Sequence, residues 1–261
     1  MPVLPEELPL RGVRVPVLSA RAWLSFRWKE ADCRISSPRS GEAAAEIRRQ
    51  RAVLEAYIGR QPLFLASLVP IAVLEGAPAA AVRMAEAAKR ANVGPMAAVA
   101  GFMAQAAVEA ALAAGAEEAV VENGGDLFLS SPRPVLVGLY AGEGHPLSGR
   151  LAFRVEPSAM PLSVCASSGR FGHSFSFGDC DLAVAVAADG ALADAVATLG
   201  ANRVRRAEDV EPALELMTGV AGIRGALIIQ GDKVGLMGDL PPLVRSRDPR
   251  FADKTFHTQP G

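Results

Sequence analysis

One stretch of the chain, residues 94–126, does most to limit the folds available to it. Gly94-Pro95 opens an Ala-rich run that predicts a long helix, because Pro suits the first helical turn. Residues 117–122 then predict a short strand, Asn-Gly-Gly-Asp at 123–126 a turn, and residues 127–130 a second strand. A helix that leads into a Gly-rich hairpin exposes backbone that a ligand can approach closely.

A second stretch, residues 167–202, has the same character. It contains a Ser-Ser-Gly loop, then His173 among small polar and Gly residues, and then a predicted helix over 190–199. On that helix Asp194 and Thr198 are four residues apart and share one face, so a carboxylate and a hydroxyl can offer hard oxygen ligands to Mg²⁺ or Ca²⁺. The two stretches together point to a site for an anionic ligand and a hard cation.

Each of these patterns also has an ordinary structural explanation. Asn-Gly is a strong hairpin signal, and on its own residues 123–126 are better explained as a turn than as an anion site. Asp194 suits the first turn of a helix because of the helix dipole, and Thr198 can pack its methyl group inward. His173 can act as a general base or contact a phosphate oxygen, or can lie in a plain surface loop, whereas His145 is predicted to be a solvated loop residue.

The rest of the sequence predicts one α+β domain over residues 1–240. Half of the 261 residues are hydrophobic and only 5% are aromatic, which suits small helices packed closely on a sheet. Further strands are predicted at 13–18, 23–28, 33–36, 135–140, 151–155, 163–166, 182–188, 226–230 and 233–237, and further helices at 41–59, 79–91 and 212–218. Residues 241–261 are rich in Pro and charge and predict a tail, or an arm on a partner subunit of a homo-oligomer.

Charge and cysteine content argue against several classes of protein. The formal net charge is −1 with no basic run, so no nucleic-acid partner is expected. The apolar stretch at 63–74 is too short to span a bilayer, and the N-terminal residues lack the features of a signal peptide, so no membrane association is expected. Cys33, Cys165 and Cys180 fit no metal or disulfide spacing and predict reduced, mostly buried thiols in a cytoplasmic protein.

As an ordered set, these motifs resemble the ApbE-like superfamily, the flavin transferases that move FMN from FAD onto a threonine of a target protein. Gly-Pro-Met-Ala-Ala-Val-Ala-Gly at 94–101 and Val-Glu-Asn-Gly-Gly-Asp at 121–126 resemble the family's Gly-x-x-x-Lys-Gly helix and its Gly-Gly-Asp turn. Ser-Ser-Gly at 167–169, His173 and Ala-Asp-Ala-Val-Ala-Thr at 193–198 resemble its Ser-Gly loop, its histidine and its metal motif. The chain looks closest to a smaller, uncharacterised cytoplasmic branch.

The resemblance implies a fold and a site. The fold would be an α+β arrangement of antiparallel or mixed sheet with packed helices, in the ApbE-like (T-fold-like) architecture. Asp194, Thr198 and a backbone carbonyl near Ala97 would bind Mg²⁺, and His173 would be the catalytic base. The residues implied for binding FAD or a related flavin nucleotide are those of the turn and of the Ser-Gly loop: Asn123, Gly124, Gly125, Asp126, Ser167, Ser168 and Gly169.

The chain departs from the family pattern at two positions. The family's lysine aligns with Ala100, and the segment after His173 is shorter and lacks the family's Asp-Pro-x-Thr-Gly stretch. Fold and pocket can therefore be kept while the transfer chemistry is changed or lost. Three hypotheses follow: an FMN transferase acting on an acceptor protein, a non-catalytic flavin- or nucleotide-binding or assembly module, and a different Mg²⁺-dependent transferase or hydrolase.

Overall fold

Antiparallel strand pairing organises the part of the chain that the computed structural model describes, residues 22–29, 31–169 and 178–245. Its strands are β1 (Leu24–Trp28), β2 (Ala31–Ser36), β3 (Ala119–Asn123), β4 (Asp126–Ser130), β5 (Val135–Leu139), β6 (Leu151–Val155), β7 (Leu162–Ser167), β8 (Leu182–Ala187), β9 (Ile223–Gln230), β10 (Lys233–Gly238) and β11 (Leu243–Arg245). Its α-helices are α1 (Ser40–Arg60), α2 (Leu63–Ala66), α3 (Ala79–Ala91), α4 (Val99–Ala113), α5 (Gly190–Arg203) and α6 (Val210–Thr218).

The described strands form two sheets. The larger has the order β1-β2-β3-β4-β7-β8-β9-β10, and the smaller has the order β11-β6-β5. Every neighbouring pair is antiparallel, which is the pairing that hairpins and short connections allow. The predicted α+β arrangement of antiparallel sheet and packed helices is therefore confirmed.

The two faces of the larger sheet are covered differently. On one face the alternate side chains of β7, β8 and β9 pack with β5 and β6 in an aliphatic core that includes Phe153. On the other face α4 lies over β3 and β4, α5 over β7 and β8, and α6 over β9 and β10. Because side chains alternate along a strand, Val164 faces the small sheet while Cys165 faces the helices.

The helical run Pro95–Ala113 is the one described helix whose length and composition would also suit a membrane span. It begins with a 3₁₀ turn at Pro95–Ala98 and continues as α4. More than half of it is buried against α1, α5 and the strands β3 and β4, as is usual for the central helix of a folded core.

Most predicted elements appear within a few residues of their predicted bounds. The predicted helix over 79–91 is α3, and the predicted hairpin over 226–237 is β9 and β10. Residues 243–245, assigned from sequence to a C-terminal arm, instead form β11, whose Leu243 pairs with Phe153 of β6. The predicted strand at 13–18 and residues 246–261 lie outside the described residues.

Candidate functional site

The β3–β4 hairpin brings Asn123 and Asp126 onto one face of the sheet. Gly124 and Gly125 form its two-residue turn with φ values of 67° and 115°, a left-handed conformation that glycine adopts without a Cβ clash. Asn123 pairs directly with Asp126 across the hairpin, so both side chains point towards α4 and α5. The predicted turn is confirmed, and its ends carry two buried polar side chains.

Asp194 of α5 is held by the first turn of α4. The backbone N–H groups of Ala100 and Gly101 each donate to Asp194 Oδ2 over 3.0 Å. The hairpin reaches the same turn, because Asn123 Nδ2 donates to the Ala100 carbonyl over 3.3 Å. The structure therefore joins the two stretches that the sequence singled out, through a helix N-terminus that favours negative charge.

Asp126 completes this cluster from the other side. Its Oδ1 accepts a hydrogen bond from the N–H of Ala166 at 3.2 Å, at the end of β7 and beside Ser167. Cys165 lies near both carboxylates, because the charges of Asp126 and Asp194 both act on it, and its Sγ contacts Ser163 Oγ and the Gly190 carbonyl. Two acidic side chains and a thiol are thus close enough to influence one another's charge.

Burial sets the electrostatics of the cluster. Asp126 and Asp194 are each only 7% exposed. Burial raises the pKa of Asp194 well above its usual range, the nearby charge of Asp126 raises it further, and the two backbone N–H groups oppose that rise. The pKa of Cys165 is raised as well, chiefly by burial and to a lesser extent by the charges of Asp126 and Asp194. Two like charges at this depth require either a bound proton or a cation beside them.

Two glycines let α4 and α5 approach closely enough to build the cluster. A Cβ on Gly101 would lie 2.1 Å from the Gly190 carbonyl oxygen and 2.8 Å from Asp194 Cβ. A Cβ on Gly190 would lie 2.4 Å from the Gly101 carbonyl oxygen, and the Gly190 N–H donates to Gln105 Oε1 over 2.8 Å. The sequence did not reveal that Gly190, Gln105 and Cys165 belong to the site. The one indication of a close helix contact was Gly101, because a glycine weakens a helix and is usually found inside one where another backbone packs against it.

The predicted metal ligands lie on two elements that touch. Thr198 is buried one turn after Asp194 on α5, and Ala97 lies in the 3₁₀ turn Pro95–Ala98, which packs against α5. Within the described residues no three His, Cys, Asp or Glu side chains are grouped to hold a metal, so any cation here would also need hydroxyl or carbonyl oxygens. A carboxylate, a hydroxyl and a backbone carbonyl form the oxygen-rich set that suits Mg²⁺.

The described residues on either side of His173, Gly169 and Gly178, lie close together. Residues 170–177, including His173, lie outside the described residues. Beside that segment, the Gly169 N–H and Ser168 Oγ donate to the Cys180 carbonyl over 2.9 and 3.1 Å, and Asp179 N–H donates to the Val204 carbonyl just after α5. The described ends of this loop therefore lie at the same sheet end as Ser167 and at the C-terminal end of α5.

His145 is not the solvated residue that the sequence suggested. Its side chain is 11% exposed, its Nε2 lies 3.1 Å from the Gly231 carbonyl and 3.8 Å from Asp181 Oδ2, and its Nδ1 accepts from the Leu147 N–H. The prediction was wrong because nothing in the local sequence Gly-Glu-Gly-His-Pro indicates a partner that is distant along the chain. All three cysteines, by contrast, are buried thiols as predicted.

Comparisons with known proteins place this geometry in a family. A family model described as AbpE bacteria matches residues 17–219. A UPF0280 protein of Methanosarcina acetivorans is 40% identical over 247 residues, which cover 93% of this chain and 95% of that protein. A UPF0280 protein of Methanopyrus kandleri is 42% identical over 216 residues, covering 80% and 86% of the two chains.

Two solved structures share the fold at low sequence identity. The flavinyl transferase ApbE of Pseudomonas stutzeri matches with a TM-score of 0.50 and 14% identity, over 90% of this chain and 97% of that one. The ApbE protein of Thermotoga maritima matches with a TM-score of 0.50 and 13% identity, over 89% and 99%. These structures show the fold, and the family model and the two relatives show the family: the chain belongs to the ApbE-like superfamily, in the branch that contains the UPF0280 proteins.

Proposed function

We propose that this protein binds FAD or a related flavin nucleotide together with Mg²⁺ and transfers FMN from FAD to a hydroxyl group of an acceptor protein. The observation that carries the proposal is the buried pair of carboxylates, Asp126 and Asp194, at the first turn of α4. Two buried carboxylates close to one another attract a cation, and the elements around them are the ones on which the chain resembles flavin transferases.

The oxygen donors are of the kind that Mg²⁺ prefers. Asp194 accepts both backbone hydrogen bonds on Oδ2, and these bonds fix the orientation of the carboxylate. Its Oδ1 would then be the oxygen that binds the cation. Thr198 and the carbonyl of Ala97 would complete the protein's contribution, and Asp126 would lower the local potential further. When bound, Mg²⁺ would neutralise charge on the pyrophosphate and polarise the phosphorus that is attacked.

The chain's own residues would bind and orient the nucleotide. Gly124 and Gly125 present backbone without side chains beside the carboxylates, and Ser167, Ser168 and Gly169 line the same sheet end. Close packing of Gly101 on Gly190 fixes the position of Asp194 relative to the hairpin. This rigidity would align substrate and acceptor, which accounts for much of the rate in phosphoryl-type transfers.

In the proposed reaction, His173 takes the proton from the acceptor hydroxyl. The hydroxyl oxygen then forms a bond to the phosphorus of the FMN half, and the bond from that phosphorus to the bridging oxygen breaks. AMP leaves with the bridging oxygen and its electron pair. The products are the FMN–acceptor phosphoester and AMP, with the released proton first held on His173.

A non-catalytic binding module is the second candidate function, and Ala100 favours it. The backbone of Ala100 keeps both contacts of the site, to Asp194 and to Asn123, whereas the side chain has no charge to offer a phosphate. The protein can therefore still bind the nucleotide while lacking the charged contact that the family's lysine would supply during transfer. The third candidate, another Mg²⁺-dependent transferase or hydrolase, would share the Asp194 requirement.

Calorimetry with FAD, FMN and ATP, with and without Mg²⁺, tests the proposal directly. We expect FAD to bind in the presence of Mg²⁺ and Asp194→Ala to weaken this binding by about 100-fold. The matched control is Asp232→Asn, which changes an exposed acid in the β9–β10 turn and should leave binding unchanged. Absence of binding by all three nucleotides in Mg²⁺-replete wild-type protein would refute the nucleotide site.

Release of AMP from FAD separates catalysis from binding. We expect wild-type protein to release AMP only with Mg²⁺ and an acceptor hydroxyl present, and His173→Asn to lower the rate by about 10²–10⁴-fold without changing FAD affinity. Tight FAD binding with no AMP release from any hydroxyl acceptor would favour the binding module instead. Asp194-dependent cleavage of other phosphoesters, but not of FAD, would favour the third candidate.

A further inference from the structure

An uncharged apolar segment lies open on the surface before α3. Within residues 63–74, here called the apolar segment, five large aliphatic side chains are between 42% and 63% exposed: Leu63, Leu65, Leu68, Val69 and Leu74. No charged residue occurs between Gln61 and Leu74. Single exposed aliphatic residues are ordinary on protein surfaces, but a contiguous set without charges usually marks a contact surface.

Hydrogen bonds hold the apolar segment in this exposed position. The Leu74 N–H donates to the Tyr57 hydroxyl over 2.9 Å, and Gln61 Nε2 donates to the Ala72 carbonyl over 2.9 Å. The Tyr57 hydroxyl in turn donates to Gln61, and its ring packs edge-on against the fully buried Phe64. The segment is therefore anchored by Phe64, by the partly buried Ile71 and Val73 and by several polar contacts, while the five aliphatic side chains named above stay exposed.

The apolar segment adjoins the candidate site. A Cβ on Gly94 would lie 1.9 Å from the Ser67 carbonyl oxygen and 3.0 Å from Leu68 Cα, so the segment packs directly on the residue that opens the 3₁₀ turn. Six residues further on, Ala100 donates to Asp194, and a helical path of that length covers roughly 10 Å. A chain bound on the segment would therefore come within reach of the carboxylate pair.

We propose that the apolar segment is the docking surface for the acceptor polypeptide, which would contact it through uncharged aliphatic residues next to the hydroxyl that receives FMN. This inference rests on the proposed function and names the partner of that same site. Five half-exposed aliphatic side chains offer a few hundred Å², well under the ~800 Å² per partner of a stable dimer but enough for a short peptide. Because residues 61–74 carry no charge, they offer a partner apolar contacts and no ion pair.

Peptide probes test the proposal. One set of decapeptides would carry a central threonine flanked by Leu, Val and Ala, and the other the same threonine flanked by Lys and Glu. Fluorescence anisotropy would measure peptide binding, and chromatography would measure FMN attached to peptide. The variants are Leu68→Asp and Val69→Asp, and the matched control is Leu216→Asp, which alters a 49% exposed leucine on α6.

We expect the apolar peptides to bind and to accept FMN better than the charged ones by about tenfold, and the two variants to raise the peptide KM by about tenfold. Calorimetric FAD affinity should stay unchanged in all three variants. Equal use of both peptide sets, or equal KM in Leu68→Asp and wild type, would overturn the docking surface while leaving the proposed function intact. Loss of all FAD binding in wild type would refute the proposed function, and anisotropy would still decide whether the segment binds apolar peptide.

A second copy of this chain is the competing occupant. Light scattering on the full chain would show a dimer that Leu68→Asp converts to monomer if the apolar segment were a self-association surface. That result would overturn the proposal. A mass unchanged by Leu68→Asp, together with the peptide preference, would support it.

Discussion

The two faces of the large sheet are built for different purposes. Towards the small sheet, β7 and β8 present Val, Leu and other aliphatic side chains that interlock with Phe153 and its neighbours. Towards the helices, the same strands present Ala and Cys165, and the helices that cover them meet through Gly101 and Gly190. The face towards the small sheet gains stability from closely packed large side chains. The face towards the helices carries small side chains, which let the helix backbones approach each other and the carboxylates.

The comparison shows where stability and function can be separated. Burying the charge of Asp194 opposes folding, whereas the aliphatic face supplies hydrophobic stabilisation without polar groups to satisfy. Functional sites commonly carry such local costs while the surrounding structure holds them in place. Substitutions on the aliphatic face should therefore change stability more than binding. Substitutions on the helix-covered face should change binding more than stability.

The largest effect is expected on the aliphatic face. Phe153→Ala should lower the free energy of unfolding by about 3–5 kcal/mol, because the ring is fully buried and its removal leaves a cavity. Denaturant titration would measure this loss. The remaining folded protein should bind FAD with wild-type affinity, and a large change in affinity per folded molecule would break the distinction between the faces.

A smaller loss of stability with a larger loss of function is expected at the helix crossing. Gly101→Ala places a Cβ 2.1 Å from the Gly190 carbonyl and should lower the free energy of unfolding by about 3 kcal/mol at most, with loss of Mg²⁺-dependent binding. Denaturant titration and calorimetry on the same sample would check both. Normal binding in this variant would mean that the close approach of α4 and α5 does not position Asp194.

Removing the buried charge should stabilise the metal-free protein. The raised pKa of Asp194 means that the folded state holds its proton more tightly than the unfolded chain does, so stability falls as pH rises from about 4 towards that raised pKa. Asp194→Asn should therefore raise Tm by roughly 2–4 °C at pH 8 in EDTA, with a shrinking difference near pH 4.

The same variant should gain nothing from added Mg²⁺, whereas the wild type should be stabilised by it. Thermal scans with EDTA and with excess Mg²⁺ would measure both effects, with Asp232→Asn as the control for loss of an exposed charge. A variant less stable than wild type at pH 8 in EDTA would show that the two backbone hydrogen bonds outweigh the cost of burial.

The smallest effect is expected at a glycine that lies outside the site. Gly59→Ala on α1 has no atom within 4 Å of the added Cβ and should raise the free energy of unfolding by about 0.5–1 kcal/mol. Denaturant titration would resolve this gain, and FAD affinity should not change. If Gly59→Ala also destabilised the protein, the loss of stability in Gly101→Ala could not be assigned to its contact with Gly190.

Local patterns in the sequence predicted the elements well. Pro78, a residue that suits the first turn of a helix, predicted the helix that follows it, and Asn-Gly-Gly-Asp predicted the β3–β4 turn, because both depend on neighbouring residues. The strand β11 was missed because three residues, Leu243–Arg245, become a strand only by pairing with β6 some ninety residues earlier. Pairing of this kind depends on the whole fold rather than on local propensity.

Two acidic members of the cluster could be singled out from the sequence, but not the fact that they lie side by side. Sequence reasoning singled out Asp126 for the nucleotide and Asp194 for the metal, and the structure brings them into one electrostatic cluster. Cys165 carries no local pattern, and its position follows only from the β4–β7 register. The roles of His173, Thr198 and Ala97 stay predictions.

The contacts on either side of the segment that carries His173 affect which changes in chain length the fold can accept. Gly169 and Gly178 sit back to back, since a Cβ on the first would lie 2.4 Å from the carbonyl oxygen of the second, and Cys180 and Val204 anchor both sides. Because the exit and the return of the chain coincide, residues can be inserted or deleted between them without strain on the sheet. The segment between Gly169 and Gly178 can thereby vary in length independently of the elements that surround its two ends.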